Sequence, residues 1–190
     1  MIGWAGVQIF TIGHSTRSLA ELVDLLSAFD IAVLADIRTI PRSRHNPQFN
    51  GDTLPSALRS RHIRYVHVPE LGGLRRPRKD SPNTGWRNAS FRGFADYMST
   101  DEFETGLAEL HSLLSSGRVA LMCAEAVPWR CHRSLVADAL TIRGADVAHI
   151  VSAKKTTPHR MTPFAEARGT ELTYPGEGSG ERPGVTDNRC

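Results

Sequence analysis

No apolar run in this 190-residue chain is longer than a strand. Crossing a bilayer takes roughly 20 consecutive apolar residues, so no membrane partner is expected. The opening MIGWAGVQIFTIGHS lacks a basic leader followed by a long apolar core and a small-residue cleavage site. No secretory signal is therefore expected, and the cytoplasm is the default location. Cysteine is scarce: Cys123, Cys131 and Cys190 make three, an odd count that suits a reducing compartment better than a disulfide framework. There is no C-x₂-C pair, and Cys123, Cys131, His132 and His14 fit no ordinary zinc spacing, so neither a metal nor a cofactor is expected. No internal repeat is present, which excludes a solenoid.

Hydrophobic residues make up 40% of the chain and charged residues 23%, the balance of a globular protein. The length suits a single domain over 1–174, followed by a tail over 175–190 whose Gly, Pro and polar content reads as disordered. The net charge of +3 is small but unevenly spread. Residues 72–93, GGLRRPRKDSPNTGWRNASFRG, hold Arg75, Arg76, Arg78, Lys79, Arg87 and Arg92 against Asp80 alone. Such an excursion, carrying Trp86 and Phe91, is either a solvated loop or a surface that follows phosphates and stacks bases.

Apolar segments alternate with helical patterns. VQIFTIGHS reads as a strand, and RSLAELVDLLSAFDI as a helix opened by the capping box of Ser18 and Glu21. IAVLADIR is a second strand, LPSALRSRHI a short helix and RYVHVPELGG a third strand. FADYMSTDEFETGLAELHSLLSSG supplies one helix, or two broken at Ser99 and Thr100. RVALMCAE is a fourth strand, CHRSLVADALTIRG its following helix and ADVAHIVS a fifth strand. Continuous rather than alternating apolar strands predict an α/β fold of three layers, with a mostly parallel central sheet of about five strands flanked by helices. Sheets of that kind bind ligands outside the carboxyl ends of their strands. Four polar clusters fall there: His14 and Ser15, Asp36 and Arg38, Glu70 with Gly72 and Gly73, and Cys123 with Glu125.

The stretch CAEAVPWRCHR, 123–133, carries the densest chemistry. Cys131 and His132 are expected in the first turn of a helix, where backbone N–H groups stabilise an anion and Arg130 and Arg133 add positive charge. Cys131 then reads as a thiolate nucleophile, with His132 beside it; equally, the helix start reads as a phosphate or carboxylate cradle. Cys123 ends an apolar run, a place where cysteine more often packs than reacts. Glu125 serves either as a general acid or base or as a partner for Arg130 or Arg133. His14 is a proton donor, an anion ligand or a turn residue. Asp36 is a base or the partner of Arg38. A phosphatase loop is a poor match, because six residues separate Cys123 from Arg130 and Pro128 and Trp129 replace small residues.

The blocks TIGHSTRS, LADIRTIPRSR, NPQF, YVHVPELGG, FADYM and CAEAVPWRCHR together resemble the domain-of-unknown-function family numbered 488, from about Ile9 to His149. The resemblance implies a small bacterial or archaeal cytoplasmic protein of a family with no settled activity. It marks His14, Asp36, Arg38, Pro41, Glu70, Gly72, Cys123, Glu125, Cys131, His132 and Arg133 as signature residues. Three functions are weighed. The first is hydrolysis at a base or N-glycosidic bond of a nucleic acid or nucleotide, with Asp36 or Glu125 activating water and Arg38, Arg42, Arg44, Arg75, Arg76 and Arg133 holding phosphate. The second is a cysteine-dependent hydrolase or transferase for a small anionic substrate. The third is a non-enzymatic module that captures nucleic acid or another anion.

Overall fold

Five strand segments run parallel, four of them covered on both faces and the fifth, RYVH, a half-exposed edge strand. In the computed structural model, which describes residues 3–176, these are β1 (Gln8–Gly13), β2 (Ile31–Asp36), β3 (Arg64–His67), β4 (Arg118–Cys123) and β5 (Asp146–Ser152). A sixth strand, β6 (Lys155–Pro158), pairs antiparallel with β5, and the sheet order is β3-β2-β4-β1-β5-β6. Helices α1 (Leu19–Ser27) and α2 (Leu54–Arg59) pack Leu22, Leu26, Leu54 and Leu58 against Phe10, Ile12, Leu34 and Met122 on one face. Helices α3 (Ala89–Tyr97), α4 (Asp101–Leu113) and α5 (Arg133–Ile142) cover Ile9, Val33, Leu121 and Cys123 on the other. The alternation of those strand residues between faces is the period of two that a pleated strand imposes.

The topology opens a crevice in one place. The chain leaves β1 and β2 for α1 and α2, but leaves β4, which lies between them, for α5 on the opposite face. Adjacent strands whose connections part in this way leave a gap beyond their carboxyl ends. Register brings those ends level, with Gly13 opposite Cys123 and Asp36 opposite both Met122 and His67.

The capping box forms as expected: Ser18 accepts from Glu21 N and Glu21 from Ser18 N. The helical stretch after β3 is two helices, the second capped by Thr100. Its first member starts at Ala89, capped by Asn88, earlier than the apolar spacing suggested. Helix α5 starts at Arg133, so Cys131 precedes the helix rather than lying in its first turn. A hairpin of β7 (Glu166–Arg168) and β8 (Glu171–Thr173) follows β6; its three-residue strands carry no apolar run to read.

The basic excursion is not a free loop. Buried Asp96 accepts from Arg78 N, the Ser81 hydroxyl and the Asn83 side-chain amide. Asn83 in turn accepts from Tyr174 N. Tyr174 is fully buried, and Gly176 N donates to Thr84, so the chain is packed as far as Gly176. The remainder of the expected tail lies outside the described residues.

Tyr174 also donates to Asp138, which accepts from the backbone and hydroxyl of Thr162 and binds His159 at 2.7 Å. His159 contacts His149 at 3.1 Å, and His149 contacts Thr11 at 2.7 Å, so one buried polar chain ties β1, α5, β5 and the segment after β6 together. Burial, aided by the charge of His159, lowers His149 to about 4. The unfolded chain takes that proton near 6.5, so stability falls as pH drops through the interval from 6.5 to 4. At pH 5 the loss from this group is about 2 kcal/mol. Urea denaturation at pH 7 and pH 5 measures it: the wild type is expected to lose that much more than His149→Gln, and equal losses would place the titration elsewhere.

Candidate functional site

The crevice is a cavity of about 520 Å³ lined by residues from all four expected clusters, the third represented by Gly73 alone. His14, Arg38, Cys123, Glu125, Cys131 and His132 all face it, with Arg42 and Arg130 at its rim. Two glycines permit the close approach of its walls. A Cβ on Gly13 would lie 1.8 Å from the carbonyl oxygen of Glu125, and one on Gly73 would lie 2.4 Å from the His132 ring. Glycine at those positions lets the turn after β4 fold over β1 and lets His132 sit beneath the turn after β3.

Asp36 is fully buried and committed. It receives Arg38 Nε at 2.8 Å, Arg38 Nη2 at 2.5 Å, Arg38 N at 3.1 Å and the Tyr65 hydroxyl at 2.7 Å. Burial, then the neighbouring Asp36 charge, raises the Tyr65 phenol far above its ordinary value, so it remains a donor. Arg38 Nη2 also donates to the Phe49 carbonyl, which leaves Nη1 beside His14 Nε2 at 3.4 Å. His14 Nδ1 must donate to the Ser15 carbonyl at 2.9 Å. Burial, reinforced by the Arg38 charge, lowers the His14 pKa, so its Nε2 carries a lone pair at the Arg38 side. The ring stacks on Phe49, 4.4 Å between centroids.

On the facing wall the two cysteine sulfurs lie 2.7 Å apart. Cys131 Sγ also receives Arg133 N and lies 3.5 Å from His132 Nδ1. His132 Nε2 donates to the Ile37 carbonyl at 3.0 Å, and burial lowers this histidine to about 4. Its Nδ1 is therefore an acceptor turned to sulfur. Arg133 is 1% exposed; Nη2 donates to the carbonyls of Glu125 and Ala126, while Nε and Nη1 have no hydrogen-bond partner. Among the described residues no carboxylate pairs with it. The hydrogen bond from Cys131, helped by the Arg133 charge, lowers the Cys123 thiol, and the same contact together with burial raises Cys131. Cys131 lies outside the helix whose first turn was expected to lower its thiol, and its thiol is raised where that of Cys123 is lowered.

Several expected site residues do not reach the cavity. Arg75 is held over the Tyr97 ring at 3.6 Å and donates to the Gly72 carbonyl. Trp86 is packed against Phe91 at 4.7 Å and Phe164 at 5.0 Å and lines a second cavity instead. Arg44 and Arg76 are exposed outside the cavity, and Glu70 and buried Gly72 lie behind the turn after β3. Ser15 contributes only its backbone, which donates to the Ala124 carbonyl. Sequence reasoning missed Thr39, Ile40, Ser43, Leu74 and Ser90 as lining residues, whereas Phe91 of the basic segment does line the cavity. Ile40 and Leu74 are 60% and 68% exposed at the mouth, an apolar exposure that had no signal in the sequence beyond their neighbours' polarity.

The family model described as "Domain of unknown function DUF488" matches residues 18–140, more than half of the chain. No curated protein and no solved structure gives a significant match.

Because Asp36 spends its lone pairs on Arg38 and Tyr65, its first role is to hold charge in the interior. Removing one member of such a buried pair leaves the other uncompensated and costs about 3–5 kcal/mol. Asp36→Asn is expected to lower stability by that order in urea denaturation. An unchanged midpoint would mean that Asp36 is free for chemistry.

Proposed function

The chain belongs to the DUF488 family, whose description names no activity, and from the geometry of its cavity we propose that it is a cysteine-dependent enzyme acting on a small anionic substrate. The observation that carries this reading is the unpaired, buried guanidinium of Arg133 behind two touching thiols. A buried cation requires a counter-charge, and the Cys123 thiolate is the group of opposite sign that the site can generate. Cys131 holds that thiolate by a hydrogen bond, and His132 Nδ1 lies 3.5 Å from the Cys131 sulfur.

The substrate class follows from the lining. Arg38, Arg42 and Arg130 face one carboxylate, Glu125, so the cavity favours an anion. Ile40 and Leu74 at the mouth give an apolar part of the same molecule somewhere to rest. A nucleotide has both parts, which keeps nucleotide and nucleic-acid chemistry within the proposal. In that setting Glu125 is the carboxylate left to activate water, since Asp36 is saturated. Hydrolysis at a base or N-glycosidic bond is the second reading, supported by that exposed carboxylate inside an arginine-rich cavity.

Turnover of nucleotides, lesion-bearing DNA and small phosphate or carboxylate esters by the wild type, Cys123→Ser and Glu125→Gln separates the readings. For whichever substrate is turned over, Cys123→Ser is expected to lose activity by about a hundredfold or more, with the smaller loss in Glu125→Gln. The reverse order would transfer the reaction to water activated by Glu125. Binding that weakens with salt, without turnover of any substrate, would leave an anion-binding module.

A further inference from the structure

We propose that Cys123 and Cys131 form a dithiol site that reduces a hydroperoxide and closes into a disulfide. The inference rests on the proposed function in one respect, the assignment of Cys123 as the thiolate; it goes further in giving the second cysteine a reaction of its own. Simple nucleophilic catalysis at Cys123 uses the thiol at 2.7 Å only as a hydrogen-bond donor, a part that a hydroxyl would fill as well. Were an acyl or phosphoryl group attached to Cys123, attack by Cys131 would only pass the group from one sulfur to the other. A neighbouring thiol advances the chemistry when the first sulfur itself carries a leaving group, as it does after oxidation.

The surroundings suit each step. Both cysteines border the cavity, Cys131 7% and Cys123 1% exposed, so a small peroxide meets them from that side. The Cys123 thiolate attacks the terminal peroxide oxygen and the O–O bond breaks. Sulfur keeps the hydroxyl as a sulfenic acid, and the alkoxide leaves with the proton that Cys123 gave up on ionising. Cys131 then attacks the Cys123 sulfur as its proton passes to the departing oxygen, with His132 Nδ1 beside it at 3.5 Å as a hydrogen-bond acceptor. Hydroxide departs and takes that proton as water. Two thiols and one hydroperoxide become one disulfide, one alcohol and one water; a dithiol reductant returns two electrons and two protons.

Bond closure is a small motion, because sulfurs 2.7 Å apart need move less than 1 Å to reach the bonded distance of about 2.05 Å. The Arg133 guanidinium behind them stabilises the thiolate while it lasts, and loses its counter-charge once the disulfide forms. Oxidation therefore also removes the nucleophile of the proposed function.

The test uses the full chain with Cys190→Ser, reduced and then exposed to one equivalent of hydrogen peroxide, with intact mass and alkylation mapping as readouts. The expected result is a mass loss of about 2 Da, for two hydrogens, with Cys123 and Cys131 together protected from alkylation until dithiothreitol is added. In Cys131→Ser, dimedone is expected to trap a sulfenic acid on Cys123. Sulfinic acid on Cys123 with Cys131 still alkylated, or no oxidation under a large excess of peroxide, overturns the inference without calling on any variant. Turnover keeps the two proposals apart. Loss of activity in Cys123→Ser with no disulfide in the wild type defeats this inference alone, and a disulfide with activity retained in Cys123→Ser defeats the nucleophile alone.

Discussion

A guanidinium enclosed in protein with no carboxylate against it is the constraint on which the cavity depends. Taking such a charge out of water costs several kcal/mol unless a partner offsets it, yet Arg133 receives only two backbone carbonyls, those of Glu125 and Ala126. These two contacts curl the segment between β4 and α5 back over its own strand, which is what brings Cys131 onto Cys123. One residue at the start of α5 thus shapes the turn and sets the charge balance of the thiols beneath it. The two roles are linked: a carboxylate beside the guanidinium would weaken one of the influences that lower the Cys123 thiol, the larger being the hydrogen bond from Cys131.

The opposite wall solves the same problem in the conventional way. Arg38 is buried as well, but Asp36 meets it in a two-pronged pair and Tyr65 fills a remaining lone pair of the carboxylate. The result is a rigid cation whose free edge looks toward a neutral histidine. One wall therefore offers positive charge already neutralised, and the other offers positive charge still seeking a partner.

How much of this the sequence displayed depended on whether the deciding partner was local. Strand ends were legible because apolar runs stop abruptly at Gly13, Asp36 and Cys123, and parallel strands must then gather whatever follows. The convergence of His14, Arg38, Glu125, Cys131 and His132 followed from that alone. What could not be read was commitment to distant partners. Arg75 has the pattern of a phosphate ligand until Tyr97 is seen beneath it, and Trp86 that of a stacking platform for this cavity until it is seen to line a second one. The basic segment reads as solvated because Asp96, which anchors it, belongs to a helix that follows it. The chain of Thr11, His149, His159 and Asp138 escaped notice for the same reason, its members being drawn from four separate elements.

That buried chain bears on the site through its position. It meets α5 at Asp138, on the same helix that begins with Arg133. Residues five apart on a helix are offset by more than one turn, so the polar contacts at Asp138 fix the rotation of α5 about its axis. The rotation in turn fixes where the Arg133 guanidinium can reach. If α5 turned enough to release Asp138 from Tyr174 and His159, Nη2 would swing away from the two carbonyls and the segment over β4 would lose its tether. The geometry of the sulfur pair is thus held from a cluster that contributes no atom to the cavity, and substitutions at Tyr174 or His159 act on the thiols through the orientation of one helix.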